Sequence, residues 1–221
     1  MINIGVIHAT AAAIPPLNDA ARKCGKDVTI LNFLNENLLY RANQVGGADE
    51  FGFRSFTRLF FDAVDAGVDG IIVACSVYTP FVDRMKAYAG IPVIGIDNPM
   101  LTSAVEQGRK IGIVATTAAS GPSAKAQMEK IADLSGKKVE FEIGINTDAM
   151  LALKTGDVER HNALIAETGK ALISKGCDSI VLAQITMACA ADGLHELGVP
   201  VFTSPMEGIK KITALIEERN N

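Results

Sequence analysis

The chain has 221 residues, 48% of them hydrophobic and 5% aromatic, with no tryptophan and a formal net charge of −4. That length and apolar content predict a sizeable buried core, in one large domain or two lobes. No apolar run is long enough to span a bilayer, no basic cluster stands out, and there is no aromatic platform for stacking bases, so neither membrane nor nucleic acid is expected as a partner. Met1 is not followed by the basic head and apolar run of a signal peptide, which predicts a cytoplasmic protein. The four cysteines, Cys24, Cys75, Cys177 and Cys189, show no CxxC or other metal spacing, and disulfides are not expected in that compartment. No metal cluster, glycine-rich phosphate fingerprint or lysine cofactor motif is visible, so no metal and no cofactor are predicted.

In chain order, INIGVIH (2–8) is an apolar, β-branched run of the kind that forms a central parallel strand. A small-residue turn follows, and Pro15 then marks the first turn of a helix running to about Lys23. A second strand is predicted over 28–33, a short helix after Leu34, and a loop at Gly46-Gly47. From Glu50 to Ala66 the apolar residues Phe53, Phe56, Phe60, Ala63 and Val64 recur at helical spacing. Gly70-Ile71-Ile72-Val73 reads as a buried strand that delivers Cys75, Ser76 and Thr79 into the turn before a helix ending near Tyr88. A fourth strand is predicted over 91–96.

The pattern then repeats. IGIVATTAASGP (111–122) lies over IGVIHATAAAIP (4–15) at an offset of 107, GCDSIVLAQITMA (176–188) over GVDGIIVACSVYT (67–79) at 109, and GVPVF (198–202) over GIPVI (90–94) at 108. A second long helix is predicted over 157–174. This reads as an internal duplication giving an α/β protein of two pseudo-symmetric lobes, each a parallel sheet flanked by helices. The first lobe is expected over 1–98, with a C-terminal helix at 206–219 packing back on it, and the second over 99–205. Ligands of such sheets sit beyond the carboxyl ends of the strands, so the turns after residues 8, 75, 115 and 184 are the expected lining of a shared cleft.

At those strand ends stand His8-Ala9-Thr10 and Thr116-Thr117 as one pair, with Cys75-Ser76 and Gln184-Ile185-Thr186 as the other. VACS in the first half and LAQITMA in the equivalent place of the second resemble the aspartate/glutamate/hydantoin racemase superfamily, and the resemblance covers essentially the whole chain. It implies a cofactor-independent carbanion mechanism, in which one cysteine from each lobe flanks the acidic carbon while hydroxyls and backbone amides hold the substrate carboxylate. Cys75 matches the first cysteine. The second falls at Gln184, which cannot serve as a base near neutral pH.

A racemase or epimerase acting on a small carboxylate or amino-acid-like substrate is the expected activity. A single-cysteine decarboxylase and a non-catalytic ligand-binding protein are the alternatives. Cys75 is the expected acid/base, on a thiolate favoured by helix N-terminal amides. His8 is the candidate second catalytic group; its alternative role is to hydrogen-bond a neighbour. Thr10, Ser76, Val77, Thr116, Thr117, Gln184, Thr186 and Glu36 make up the expected substrate-binding set, with helix capping as the competing role for the hydroxyls. Asp148 is expected to cap the next helix, and Tyr78 to line the pocket or pack beneath a helix. Arg54 and Arg58 are expected on a solvated helix face. His161 and His195 are expected at the surface, and Cys24, Cys177 and Cys189 in structural packing. The phenylalanine-rich segment 51–61 suggests a homodimer or larger homo-oligomer.

Overall fold

The computed structural model describes residues 1–220, apart from the side chain of His195. The chain divides into two compact units, Met1–Asn98 joined by the segment from Pro205 onward, and Pro99–Ser204.

The first unit runs β1 (Ile2–His8), α1 (Ile14–Lys23), β2 (Val28–Leu34), α2 (Asn37–Val45), α3 (Glu50–Asp65), β3 (Gly70–Val73), α4 (Val82–Ala89) and β4 (Val93–Gly95). Its four parallel strands lie in the order β2-β1-β3-β4. All four residues of β3 are buried, as befits a central strand, and alternate positions feed opposite faces. Ile7, Ile71 and Val73 join Phe56, Phe60 and Ala63 of α3 and Val82 and Met85 of α4 in one core. On the other face, a Cβ at Gly70 would meet Ile216 and Ile212 at 2.9 and 3.1 Å. These belong to the last helix of the chain. Asp49 caps α3 by accepting the Gly52 amide at 2.8 Å, and Arg41 Nε donates to both Asp49 carboxylate oxygens at 2.9 Å.

The second unit repeats the plan. After α5 (Asp97–Gln107), which begins on the last two residues of the first unit, come β5 (Lys110–Ala115), α6 (Ser120–Ser135), β6 (Glu140–Ile145), α7 (Thr147–Lys154) and α8 (Val158–Ser174). There follow β7 (Ser179–Leu182), α9 (Ala191–His195), β8 (Val201–Thr203) and α10 (Ser204–Asn220), which carries the chain back into the first unit. The strand order is β6-β5-β7-β8. Ile111, Ile113 and Val181 face α5 and α6, while Val114, Ile180 and Leu182 face α8 and α9, so β5 and β7 each feed a core on both sides.

The duplication is visible in the ladders. Ile4 pairs Gly70 and Ile111 pairs Ser179; Val73 pairs Gly95 and Leu182 pairs Thr203. These are the offsets of 107, 109 and 108 seen in the sequence. The Ala74 amide donates to Ile7 O at 2.9 Å and the Ala183 amide to Val114 O at 3.0 Å, which makes positions 75 and 184 structural equivalents. Among the described residues, no helix is long and apolar enough to cross a membrane.

Candidate active site

In the first unit the chain leaves β3 through Ala74 and turns at Cys75, whose carbonyl accepts the amides of Tyr78 and Thr79 at 3.0 and 3.1 Å. A 3-10 turn at Thr79–Phe81 precedes α4, so the helix proper begins seven residues after the thiol. Cys75 is half-buried. Burial pushes its thiol above the ordinary value, the amides of Val77 and Tyr78 hold it back, and the Asp97 carboxylate adds to the rise. The expected thiolate is therefore not the resting form. The local amides act in the expected direction, but desolvation of the anion outweighs them.

Next to the thiol, Ser76 donates its hydroxyl to Asp97 Oδ2 at 2.6 Å. Asp97 opens α5 just beyond β4, the strand paired with β3. Burial raises this carboxyl, and the Ser76 hydrogen bond opposes the rise. The sequence reading passed over Asp97. The signal was an acidic residue directly after the apolar strand GIPVIGI, at the carboxyl edge of the sheet.

His8 ends β1 fully buried, with Nε2 2.8 Å from Asn32 Oδ1 and Nδ1 enclosed without a partner. Burial lowers its pKa, against the effect of the Asn32 hydrogen bond. Thr10 caps the turn that follows, accepting the Ala12 amide at 3.4 Å. Glu36 is exposed at the start of α2 without a side-chain cap bond, and Val77 is half-buried. Tyr78 packs: 1% exposed, it stacks on Phe56 at 5.1 Å between centroids and donates to Leu38 O at 3.3 Å.

In the second unit, Gln184 occupies the position equivalent to Cys75. Its Oε1 accepts three hydrogen bonds, from the Thr116 amide at 2.8 Å, the Thr116 hydroxyl at 2.8 Å and the Ser120 hydroxyl at 3.1 Å. Thr116 is 1% exposed, so its hydroxyl serves Gln184. Thr117 is half-buried; its Oγ1 donates to Ser120 Oγ at 2.9 Å and accepts the Ser120 amide at 3.3 Å. Thr186 is half-buried in the 3-10 helix Ile185–Ala190 that follows. Ser120 was not singled out by the sequence reading.

A model of the Asp/Glu/Hydantoin racemase family matches residues 4–212. The chain belongs to that family. Over 132 residues it is 28% identical to an uncharacterized protein of Schizosaccharomyces pombe, a match that spans 58% of this chain and 54% of that relative's length. Among solved structures, allantoin racemase from Klebsiella pneumoniae superposes with a TM-score of 0.71 at 23% identity, covering 99% of this chain and 89% of the other. An aspartate racemase homologue from Pyrococcus horikoshii gives 0.69 at 14%, over 98% and 100%. A glutamate racemase from Bacillus anthracis gives 0.67 at 15%, over 99% and 82%. These likenesses establish the racemase-family fold.

Three further expectations are corrected. His161 lies on a helix as expected, but it is fully buried, its Nδ1 donating to Ala149 O at 2.8 Å where α8 packs on α7. Cys189 is exposed rather than packed, with Sγ 3.3 Å from Asn162 Oδ1. The α7 cap is Asn146, which accepts the Ala149 amide at 3.3 Å, and Asp148 is exposed in the first turn. The side chain of His195 lies outside the described residues. Cys177 is buried, and Cys24 is half-buried, donating to Ala21 O at 3.0 Å. Arg54 lies 5.9 Å over the Phe51 ring. Among the described residues no group of three His, Cys, Asp or Glu is placed to hold a metal ion.

Proposed function

We propose that this racemase-family protein is a cofactor-independent isomerase, of racemase or epimerase type, acting at an acidic carbon of a small carboxylate or amino-acid-like substrate. The observation that carries the reading is Cys75, a half-buried thiol at the carboxyl end of a buried strand, within a chain whose family match spans nearly its whole length. Allantoin racemase and the aspartate and glutamate racemase neighbours are named for substrates with a C–H beside a carbonyl, which supports the same substrate class.

In this reading the Cys75 thiolate takes the proton from that carbon, and the C–H electron pair moves into the carbonyl as an enolate. Water delivers a proton to the other face of the carbon, and the hydroxide left takes the proton from the S–H, restoring the thiolate. Burial keeps the free protein in the thiol form, so forming the thiolate is part of the barrier and the rate rises with pH. His8 acts as a buried neutral imidazole behind the strand end, holding Asn32. A homo-oligomer belongs to the same reading, supported by Tyr40 and Phe51 exposed on the first unit, and light scattering measures it.

The test is incubation of allantoin, hydantoins, aspartate and glutamate in heavy water with wild-type protein and Cys75→Ala. Deuterium entering the acidic carbon, lost with the thiol, is the expected result. Stoichiometric release of carbon dioxide would instead make the protein a decarboxylase through the same enolate. An absence of exchange across small carboxylates and ureides, with binding intact, would leave a ligand-binding protein.

A further inference from the structure

The two strand ends differ by more than one residue. Position 184 corresponds to 75 at the offset of 109, and Thr116 and Ser120 correspond to Ala9 and Ala13 at the offset of 107. Around Cys75 those two places are apolar and enclosed, at 2% and 0% exposure. Around Gln184 they carry the two hydroxyls that bind its oxygen. Gln184 is thus accompanied by two polar residues that the first unit lacks at the equivalent places, and all three are hydrogen-bonded together.

Their effect is to fix which way the amide points. A backbone N–H can only donate, so the bond from the Thr116 amide at 2.8 Å requires the oxygen, not the nitrogen, of Gln184 on that side. The Thr116 hydroxyl adds a second donor to Oε1, and the Ser120 hydroxyl, whose one proton is shared with Thr117 O at 3.2 Å, completes the cradle. With the oxygen held inward, the NH2 group is turned away from the cradle. An amide whose oxygen accepts three hydrogen bonds is also polarised, which makes its N–H groups better donors.

We propose that Gln184 differs in kind from the thiol at the equivalent position of the first unit: it is a fixed N–H donor that binds a carbonyl or carboxylate oxygen of the ligand and stabilises negative charge there, with Thr116 and Ser120 as its positioning residues. The Gln184 N–H holds that oxygen without giving up its proton. A donor set in advance toward developing negative charge needs no reorganisation as the charge forms. The assignment rests on the carbanion reading for its chemistry, but its test can be read without it.

The test follows the Gln184 side-chain amide by 15N–1H NMR, its resonance pair identified by its disappearance in Gln184→Glu, while oxalate is added as a planar oxyanion probe. The expected result is a saturable shift of that pair, with oxalate affinity at least about tenfold weaker in Gln184→Glu, which presents acceptors in place of the donor. Thr116→Val, with Ser120→Ala as a second variant should the first not fold, is expected to weaken the probe less and to broaden the amide resonances. In the exchange assay Gln184→Glu is expected to lower kcat by about 10²–10³-fold, the scale of a lost oxyanion donor. A Gln184 pair unmoved by oxalate through the millimolar range, or a Glu variant with wild-type affinity, overturns the assignment. A shift without any deuterium exchange removes the carbanion reading and leaves Gln184 as an oxyanion-binding donor.

Discussion

Ser76 Oγ lies 2.6 Å from Asp97 Oδ2, and this hydrogen bond ties the residue beside the thiol to the first residue of α5. The Asp97 charge is one of the causes that hold the Cys75 thiol high. Asp97→Asn removes the charge and keeps the shape. Iodoacetamide alkylation of Cys75, followed by peptide mass spectrometry, should then shift to lower pH than in the wild type. An unchanged profile would show that burial alone sets the thiol.

The wild-type profile is itself a prediction. Because burial outweighs the Val77 and Tyr78 amides, the Cys75 alkylation midpoint should lie above that of an unstructured thiol, and reaction near neutral pH should be slow. The same sign applies to catalysis: kcat/KM for exchange should climb from neutral toward alkaline pH as the thiolate forms. Cys75→Ser, which has no thiolate to offer, should cost at least about a thousandfold, judged from the loss of a general base and nucleophile in other enzymes.

The first-unit core offers a packing test. A Cβ at Gly52 would lie 2.6 Å from the Tyr78 hydroxyl oxygen, inside any normal contact. Gly52→Ala should therefore destabilise by about 1–3 kcal/mol despite alanine's better helix propensity. Tyr78→Phe removes the obstructing oxygen together with its bond to Leu38 O. The double variant should be more stable than the two single losses summed, read from urea midpoints.

His8 makes a prediction about acid. Its native pKa is lowered by burial, so the unfolded chain binds the proton more readily than the folded one. The sign follows: stability is full above the unfolded value of about 6.5 and declines as pH falls below it, by at most about 1.4 kcal/mol per pH unit for one proton. His8→Gln, still able to bond Asn32, should flatten that part of the urea-midpoint curve between pH 7.5 and 5.

What the sequence disclosed and what it hid follow from how local each signal is. β1 was legible because seven apolar-rich residues of one central strand sit together, and α3 because its phenylalanines recur at helical spacing over sixteen residues. The repeat offsets carry the ladder register from one half to the other: with Ile4 paired to Gly70, they give Ile111 with Ser179. α5 was not expected, since it opens with Asp97-Asn98-Pro99, which reads as a turn, and only Met100, Leu101, Ala104 and Val105 in the folded core reveal its apolar face. Cys189 lies outside the packing because its segment is not α-helical. The segment is a 3-10 helix in which Met187 and Ala190, three apart, take the buried side and leave Cys189 outside. His161 is buried by α7 packing on α8, a contact no local pattern announces. At the site, Cys75 and Gln184 were marked by their own strands, whereas Asp97 and Ser120 gain meaning only from partners 21 and 64 residues away.

The return of α10 to the first unit has a bearing on how the chain is made. A ribosome that has released residues 1–98 has not yet supplied Ile212 and Ile216, so the side of β3 that carries Gly70 lacks their cover until residue 216 has emerged. The second unit, one continuous stretch from Pro99 to Ser204, is complete before that. During synthesis the half that emerges second is the half that can close first, and the thiol-bearing half waits, incompletely covered, for its final helix. Nascent chains stalled before residue 205 should resist protease in the second unit while still being cut in the first.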